Sequence, residues 1–588
     1  MSPAAARSVL VPAIALALLC ALPAAGDGGR PLAFVNASVV PMDTERVLPD
    51  QTVVVEAGRI VAVGPTATTP VPPGARVVDA KGRFLSPGLA DMHVHLYVPE
   101  ELPLHVVNGV TAVFNLDGRP AHLTWRKRIA SGELLGPTVY SVGPTFSRSR
   151  TPAEAEAEVD RQAAEGWDGV KVYNQVSAAE YPALTSRARE RGLVLVGHVP
   201  REPGFAATLA AGQSIAHAEE YVYTFFNDDP DPRNEVVHPL DTARIPQAVE
   251  MTRKAGISVI PTLVAFRNIV RQATDVKSYL RDPRLGYLAP FQRTRLEPEA
   301  NTYARRFRKE QLPGLAVSHE FQRQLVKALH EGGVPVLAGT DASWLGVPGF
   351  SLVEEVEGFQ ELGFTPYAAL RTATVDAARL LGREREFGVV APGARADLLL
   401  TRGSPLEDVR SLRELEGVVV RGRWIPAEER RRILAGIPAA HAERLERTTA
   451  DLERDPARAA VRLAPDDPTG AASAPAWVRI AERKGPDGVV RALGAIRKAE
   501  PRSPLLAELD LNELGYALLQ AKRTDAAVAV FRFATELYPA SGNAHDSLGE
   551  AYLAAGDEAR ARASYRRALE VEPGYPNAKA AREILERP

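Results

Sequence analysis

Between residues 89 and 343, eight short apolar runs alternate with longer, charged, alanine-rich stretches. The runs are "LADMHVH", "VTAVFNL", "TVYSVGP", "GVKVYN", "LVLVGHV", "SIAHAEE", "GISVIPTL" and "VPVLAGTDAS". The stretches between them include "TPAEAEAEVDRQAAEG" and "YPALTSRARERG". Short apolar runs read as buried strands and the charged stretches as surface helices. Such alternation calls for parallel strands joined by helical crossovers, and eight units predict a (β/α)8 TIM barrel over 85–384. The stretch 263–330, which contains "YLRDPRLGYLAPFQRTRLEPEANTYARRFRKEQLPG", is longer than one barrel helix requires. It reads either as a cover over the barrel mouth or as a solvent-facing insertion without a role.

The flanks have a different texture. Residues 31–84 hold Val-rich, Gly-punctuated runs such as "QTVVVEAGRIVAVG", and 385–428 return to strand-like text with "ADLLLTRG" and "LEGVVVRGRW". The two segments are expected to pair in one small β domain beside the barrel. A helical segment and linker follow at 429–476, of which 450–476 is rich in Pro, Asp and Ala. The region 477–588 is helical and contains an internal repeat. Residues 508–541 align with 542–575 at a spacing of 34, matching Gly515 to Gly549, Phe531 to Tyr565, Ala534 to Ala568 and Pro539 to Pro573. That period, with small and aromatic residues at these offsets, is the tetratricopeptide pattern and predicts an all-α domain. Short stacks of this kind contact a peptide or partner protein on their concave face. A protein partner or self-association is therefore expected there. Because the repeats follow a polar linker, they need not touch the barrel mouth.

The N-terminal segment 1–25 pairs Arg7 with an apolar run and small residues at Ala24 and Ala25, as a secretory signal peptide does. Export to a periplasm or to the medium is expected, with a lipid-anchored or membrane-tethered form as the lesser reading. Cys20 is the single cysteine. Once the signal is removed, the chain can offer a metal only His, carboxylate or lysine-derived ligands. The formal net charge of -2 gives no basis for a nucleic-acid partner.

The histidines carry the chemistry. In a strand, residues i and i+2 share a face, so His93 and His95 of DMHVH both point into the barrel. Alone the pair fits a metal site or two ordinary core imidazoles. His198 ends "LVLVGH", His217 ends "GQSIAH" and Asp341 ends "VPVLAGTD". Four histidines and an aspartate at four strand ends are hard to explain by packing, since buried polar groups without partners are costly. Lys171 lies inside the apolar run "DGVKVYN". It either snorkels to solvent, pairs with an acid such as Asp168, or is carboxylated. Tyr173 shares its strand face and is a candidate to hydrogen-bond substrate, or packs. Arg267 and Arg271, beyond the seventh strand, either meet a substrate carboxylate or lie in solvent.

On "LSPGLADMHVH", "DGVKVY", "GHV", "AGQSIAHAEE", "PTL", "VLAGTDAS", "LRTATVDAARLLG" and "GVVAPGARADLLL", residues 32–428 resemble the amidohydrolase superfamily. The likeness is to its imidazolonepropionase-like and Xaa-Pro dipeptidase-like branch. The resemblance implies two divalent metal ions of the zinc class. One would sit on His93, His95 and Asp341 and the other on His198 and His217, bridged by carboxylated Lys171. It implies hydrolysis of an amide, peptide or cyclic-amide C–N bond by a metal-bridging hydroxide, with Asp341 shuttling the proton and a small molecule or dipeptide as substrate. Two segments depart from relatives: Val353 stands where some carry a histidine, and "SVGPTFSRSR" replaces a Gly-Gly-His stretch. Both leave the substrate open more than the chemistry. A mononuclear deaminase or imidazolonepropionase-type hydrolase is the second reading, and a non-catalytic repeat-bearing scaffold the third.

Overall fold

The computed structural model of the chain describes residues 30–586 apart from 147–149, 230–235, 343–344, 468–469 and 576. The expected signal peptide at 1–25 lies outside the described residues. The first strands are β1 (Leu32–Val39), β2 (Leu48–Glu56), β3 (Arg59–Pro65), β4 (Arg76–Asp79) and β5 (Phe84–Pro87). Seven short strands follow: β6 (Leu89–Val94), β7 (Val110–Asn115), β8 (Thr138–Ser141), β9 (Gly169–Val172), β10 (Val194–Gly197), β11 (Ser214–Ala216) and β12 (Val259–Ile260). The last three are β13 (Leu398–Thr401), β14 (Leu415–Val420) and β15 (Arg423–Pro426).

Both flanking segments enter one sheet, ordered β15-β14-β13-β5-β1-β2-β3 with β4 against β1. Its Val-rich strands bury one face around Phe34, Val53, Ile60 and Leu398. The Trp424 ring meets Phe34 edge-on at 5.1 Å. Burying each such large apolar side chain contributes about 1.5–3 kcal/mol.

The β/α region differs from a continuous closed barrel. Among the described residues its strands form two parallel sheets, β6-β7-β8 and β12-β11-β10-β9. Only isolated parallel bridges lie between them, at Val142–Gly169, Phe146–Val172, Val259–Val336 and Val94–Ala342. The causes are local. After β8 comes Gly143-Pro144, and proline has no N–H to continue a ladder. The eighth run, 334–342, forms no strand. Instead the Thr340 and Asp341 N–H groups both donate to the His93 carbonyl, and Asp341 turns to φ 50°. Gly339 allows this close approach, since a Cβ there would lie 2.9 Å from the His93 Cβ and 2.4 Å from the Ile260 Cγ2.

The insertion after β12 is helical. It begins with the helix Leu263–Tyr279, continues through the short helices Pro290–Leu296 and Thr302–Arg306, and returns along Leu312–Glu331. The stretch 450–476, read above as linker, is largely folded. One helix runs Ala427–Arg454, another Pro456–Leu463, and Leu452, Ala459 and Ala460 are buried. The reason is amphipathic: these alanines pack against the helix Ala474–Ala499 in the core that includes the repeats. The repeats are the helix pairs Glu508–Gln520/Thr524–Leu537 and Gly542–Ala554/Glu558–Val571. Nor is the region after residue 429 held apart from the β/α region and its insertion. The Trp125 indole N–H donates to the Pro465 carbonyl at 2.7 Å, Arg128 meets Asp466 at 2.7 Å, and Arg295 of the insertion pairs with Glu513. Ala471 packs with Val98 and Phe291.

Candidate metal centre

The C-terminal ends of β6, β9, β10 and β11, with the 336–342 segment, converge on a cavity of ≈ 480 Å³. Period-2 geometry on β6 sets His93 and His95 to one side, with ring centres 5.3 Å apart. The His217 ring lies 4.6 Å from His93 and 4.7 Å from His198. Asp341 Oδ1 is 2.9 Å from His95 Nε2 and 3.4 Å from His93 Nε2. Ligand atoms of His93, His95 and Asp341 all lie within 4.8 Å of one another. His217, Thr262 and Asp341 all have positive φ, at 75°, 50° and 50°. Non-glycine residues adopt this conformation at a cost, and here it turns strand ends sharply where side chains converge.

Neighbouring groups fix the imidazoles. His198 Nδ1 meets Glu220 Oε1 at 2.7 Å, and Glu220 also accepts from Arg201 at 2.7 Å. His217 Nδ1 meets Thr262 Oγ1 at 2.8 Å. Each of these rings is left with Nε2 as its remaining ligand atom. Asp91, buried beneath, accepts from Thr340 Oγ1 at 2.7 Å and from the His93 N–H at 3.2 Å, tying β6 to the segment that carries Asp341.

Within the six-residue cluster, two side chains have buried polar atoms without a hydrogen-bond partner. Both ring nitrogens of His93 and the Lys171 Nζ make no hydrogen bond among the described residues, at 0% and 2% exposure. Asp168, the acid considered for Lys171, is instead held by Arg126 at 2.5 Å and by the Ser141 N–H. Orphaned buried donors and acceptors are rare and costly, and bound ions are among the groups that satisfy them. The donor set of neutral imidazoles, one carboxylate and a carboxylatable lysine fits a zinc-class pair.

Electrostatics agree with ligand duty. Burial, reinforced by Lys171 and the other imidazoles, holds His93 well below the usual histidine range. Burial and the neighbouring His198 bring His217 down to about 3. Both rings are therefore neutral, as ligands must be. Burial lowers Lys171 to about 8, with Asp341 and Glu220 opposing it. Burial alone would raise Asp341, but the hydrogen bond from His95 and the surrounding positive charge hold it at about 2.

The structure thus brings His95, Lys171, His198, His217 and Asp341 to one cavity, with His93 fully buried beside them, its ring 4.6 Å from His217. Tyr173 lines the cavity too, its ring edge-on to His198 at 4.3 Å. Arg267 and Arg271 are not on its wall: Arg267 pairs with Glu354, and Arg271 lies over Tyr279 at 5.0 Å. Val353 is buried in the core of the helix Phe350–Glu361. Sequence reasoning missed Asp91, Glu220 and Thr262. The signal for Glu220 was its position in "HAEE", where a buried acid follows a ligand histidine. It also missed Tyr303 and Arg306 of the insertion, both of which line the cavity.

A profile described as amidohydrolase family matches residues 84–425, and one described as tetratricopeptide repeat matches 543–575. An adenine deaminase of Paracoccus denitrificans is 25% identical over 424 residues, which are 68% of this chain and 58% of that protein. The chain therefore spans less than two thirds of that relative's length. An imidazolonepropionase of Idiomarina loihiensis is 23% identical over 381 residues, 60% of this chain and 86% of that one. The crystal structure of a putative prolidase from Bifidobacterium longum aligns with a TM-score of 0.52 at 23% identity, covering 70% of this chain and 99% of that one. This last likeness is one of fold.

Proposed function

The chain belongs to the amidohydrolase family, and on that footing we propose that it is an exported two-metal hydrolase of a carbon–nitrogen bond in an amide, cyclic amide or peptide. His93, His95 and Asp341 would hold one ion and His198 and His217 the second, with carboxylated Lys171 shared between them. Metal ions held by these residues would activate water near neutral pH and polarise the scissile carbonyl. The observation that carries this reading is the burial of His93 and Lys171 near Asp341 with no hydrogen bond to the His93 ring nitrogens or the Lys171 Nζ among the described residues.

The chain's own residues do the remaining work. Asp341 is ionised at neutral pH and accepts the proton of the attacking water, then delivers it to the leaving nitrogen. Glu220 and Thr262 hold His198 and His217 in the tautomer that leaves Nε2 free. Tyr173 lines the cavity, and its phenol would hydrogen-bond the substrate there. We also read the two parallel sheets as halves of one (β/α)8 barrel, because parallel bridges join β8 to β9, β12 to Val336 and Ala342 to β6. The apolar N-terminal segment supports export.

A second reading, a deaminase, draws support from the adenine deaminase similarity. The metal-loaded full-length chain, assayed on dipeptides, N-acyl amino acids, small lactams and adenine with and without chelator, separates the two. Chelator-sensitive release of amino acids supports the first reading and ammonia from adenine the second. No chelator-sensitive turnover on the panel overturns both.

A further inference from the structure

The insertion brings a guanidinium to the cavity wall. Arg306 ends the helix Thr302–Arg306 and lines the same cavity as His198 and Asp341. It makes no ion pair among the described residues, and its guanidinium lies 5.5 Å from the centre of the Phe307 ring. The other two cations on the cavity wall are occupied: Lys171 belongs to the ligand cluster, and Arg201 is bound to Glu220 at 2.7 Å. Asp117, Glu219, Glu220 and Asp341 also line the cavity; Glu220 is bound to Arg201, and Arg306 acts electrostatically on Glu219 without forming an ion pair with it. Tyr303, three residues before Arg306 and on the same helical face, packs against the cluster of Phe266, Ile269 and Leu345.

The helix is held rigidly. Asn301 caps it by accepting from the Ala304 N–H at 3.0 Å, and its Nδ2 donates to Gln272 Oε1 at 2.8 Å on the helix Leu263–Tyr279. That long helix starts directly after Thr262, the partner of His217. The metal cluster and Arg306 therefore share one frame, the arrangement that holds two substrate contacts at a fixed spacing.

We propose that Arg306, with Tyr303 beside it, binds a carboxylate of the substrate, so that the site selects molecules with a free carboxylate at the end remote from the metal ligands. This rests on the hydrolase reading above. A guanidinium fork matches a carboxylate in shape and charge, and a lysine at the same place would supply only a point charge.

The test is calorimetric binding to the metal-loaded full-length chain. The probes are N-acetyl-alanine, N-acetyl-proline and N-acetyl-phenylalanine, each paired with its carboxamide. In at least one pair the acid should bind roughly 10- to 100-fold more tightly than the amide. That ratio should collapse towards one in Arg306→Ala and be partly restored in Arg306→Lys. Equal affinity of acid and amide in every pair, no binding of any acid, or a ratio that survives in Arg306→Ala overturns the assignment. Because binding is the readout, missing turnover counts against the hydrolase reading and leaves the acid–amide ratio to decide this one.

Discussion

Asp510, at the start of the first repeat, is a carboxyl in the wrong environment. It is 7% exposed, Gly470 stacks against its Cβ, and the carboxylate of the buried Asp467 lies nearby. Burial and that like charge raise it from 3.8 to about 8, with Arg119 opposing. The folded chain therefore holds a proton that the unfolded chain releases. Stability from this group is present below pH 4 and is lost as pH rises towards 8. Asp510→Asn should remove that slope, so thermal unfolding at pH 5 and pH 8 should show a smaller loss in the variant than in wild type. An unchanged slope would mean that Asp510 is ionised in the fold. Residue-scale features divide by legibility. The strand-end histidines and Asp341 could be singled out because period 2 and run endings are local. Asp91–Thr340, His198–Glu220 and His217–Thr262 could not, since their partners lie up to 249 residues apart and only packing joins them. Arg306 was hidden among the many charges of the insertion, and the arginines singled out instead, Arg267 and Arg271, turn to other partners.

At the scale of elements, the repeat shows how one small residue sets helix spacing. A Cβ on Gly515 would fall 2.3 Å from the Phe531 ring, and one on Gly549 2.9 Å from the Tyr565 ring. These are the glycine–aromatic pairs that align at the repeat spacing, so the aromatic of each second helix sits on the glycine of the first. Gly515→Ala must push the helices apart or force Phe531 off its rotamer, at about 1–3 kcal/mol. Urea unfolding should show that loss. A shift below a few tenths would mean that the interface yields easily. Elements with strong periodicity were legible for the same reason that they are stable: their pattern matches their burial. The eighth run was not, because Gly339 and the turned Asp341 trade ladder bonds for contacts with His93 and Asp91. The stretch 450–476 was misread because Pro and Asp mark helix starts as well as linkers. Asp455 caps the helix Pro456–Leu463 by accepting from the Arg458 N–H at 3.1 Å.

Across the whole molecule, the helical region packs against the β/α region and its insertion. A chain ending at Arg447 would lose the Pro465 carbonyl that satisfies Trp125, the Asp466 that pairs with Arg128 and the Glu513 that pairs with Arg295. It would also uncover Val98 and Phe291, which pack with Ala471. Leaving the buried Trp125 indole N–H without an acceptor costs roughly 1–3 kcal/mol. That shortened chain should unfold at lower temperature than the full chain and aggregate on size exclusion. A monodisperse fragment of full thermal stability would show that the repeats are an independent module.

If six side chains hold two ions around Lys171, counting metal will show it. Full-length protein and Lys171→Ala, each saturated with zinc and freed of excess, are measured by elemental analysis alongside the hydrolysis rate. Two ions per chain are expected in wild type and fewer than two in Lys171→Ala, with turnover lost in parallel. One ion per chain in active wild type, with metal content and rate unchanged in Lys171→Ala, would contradict the two-ion centre.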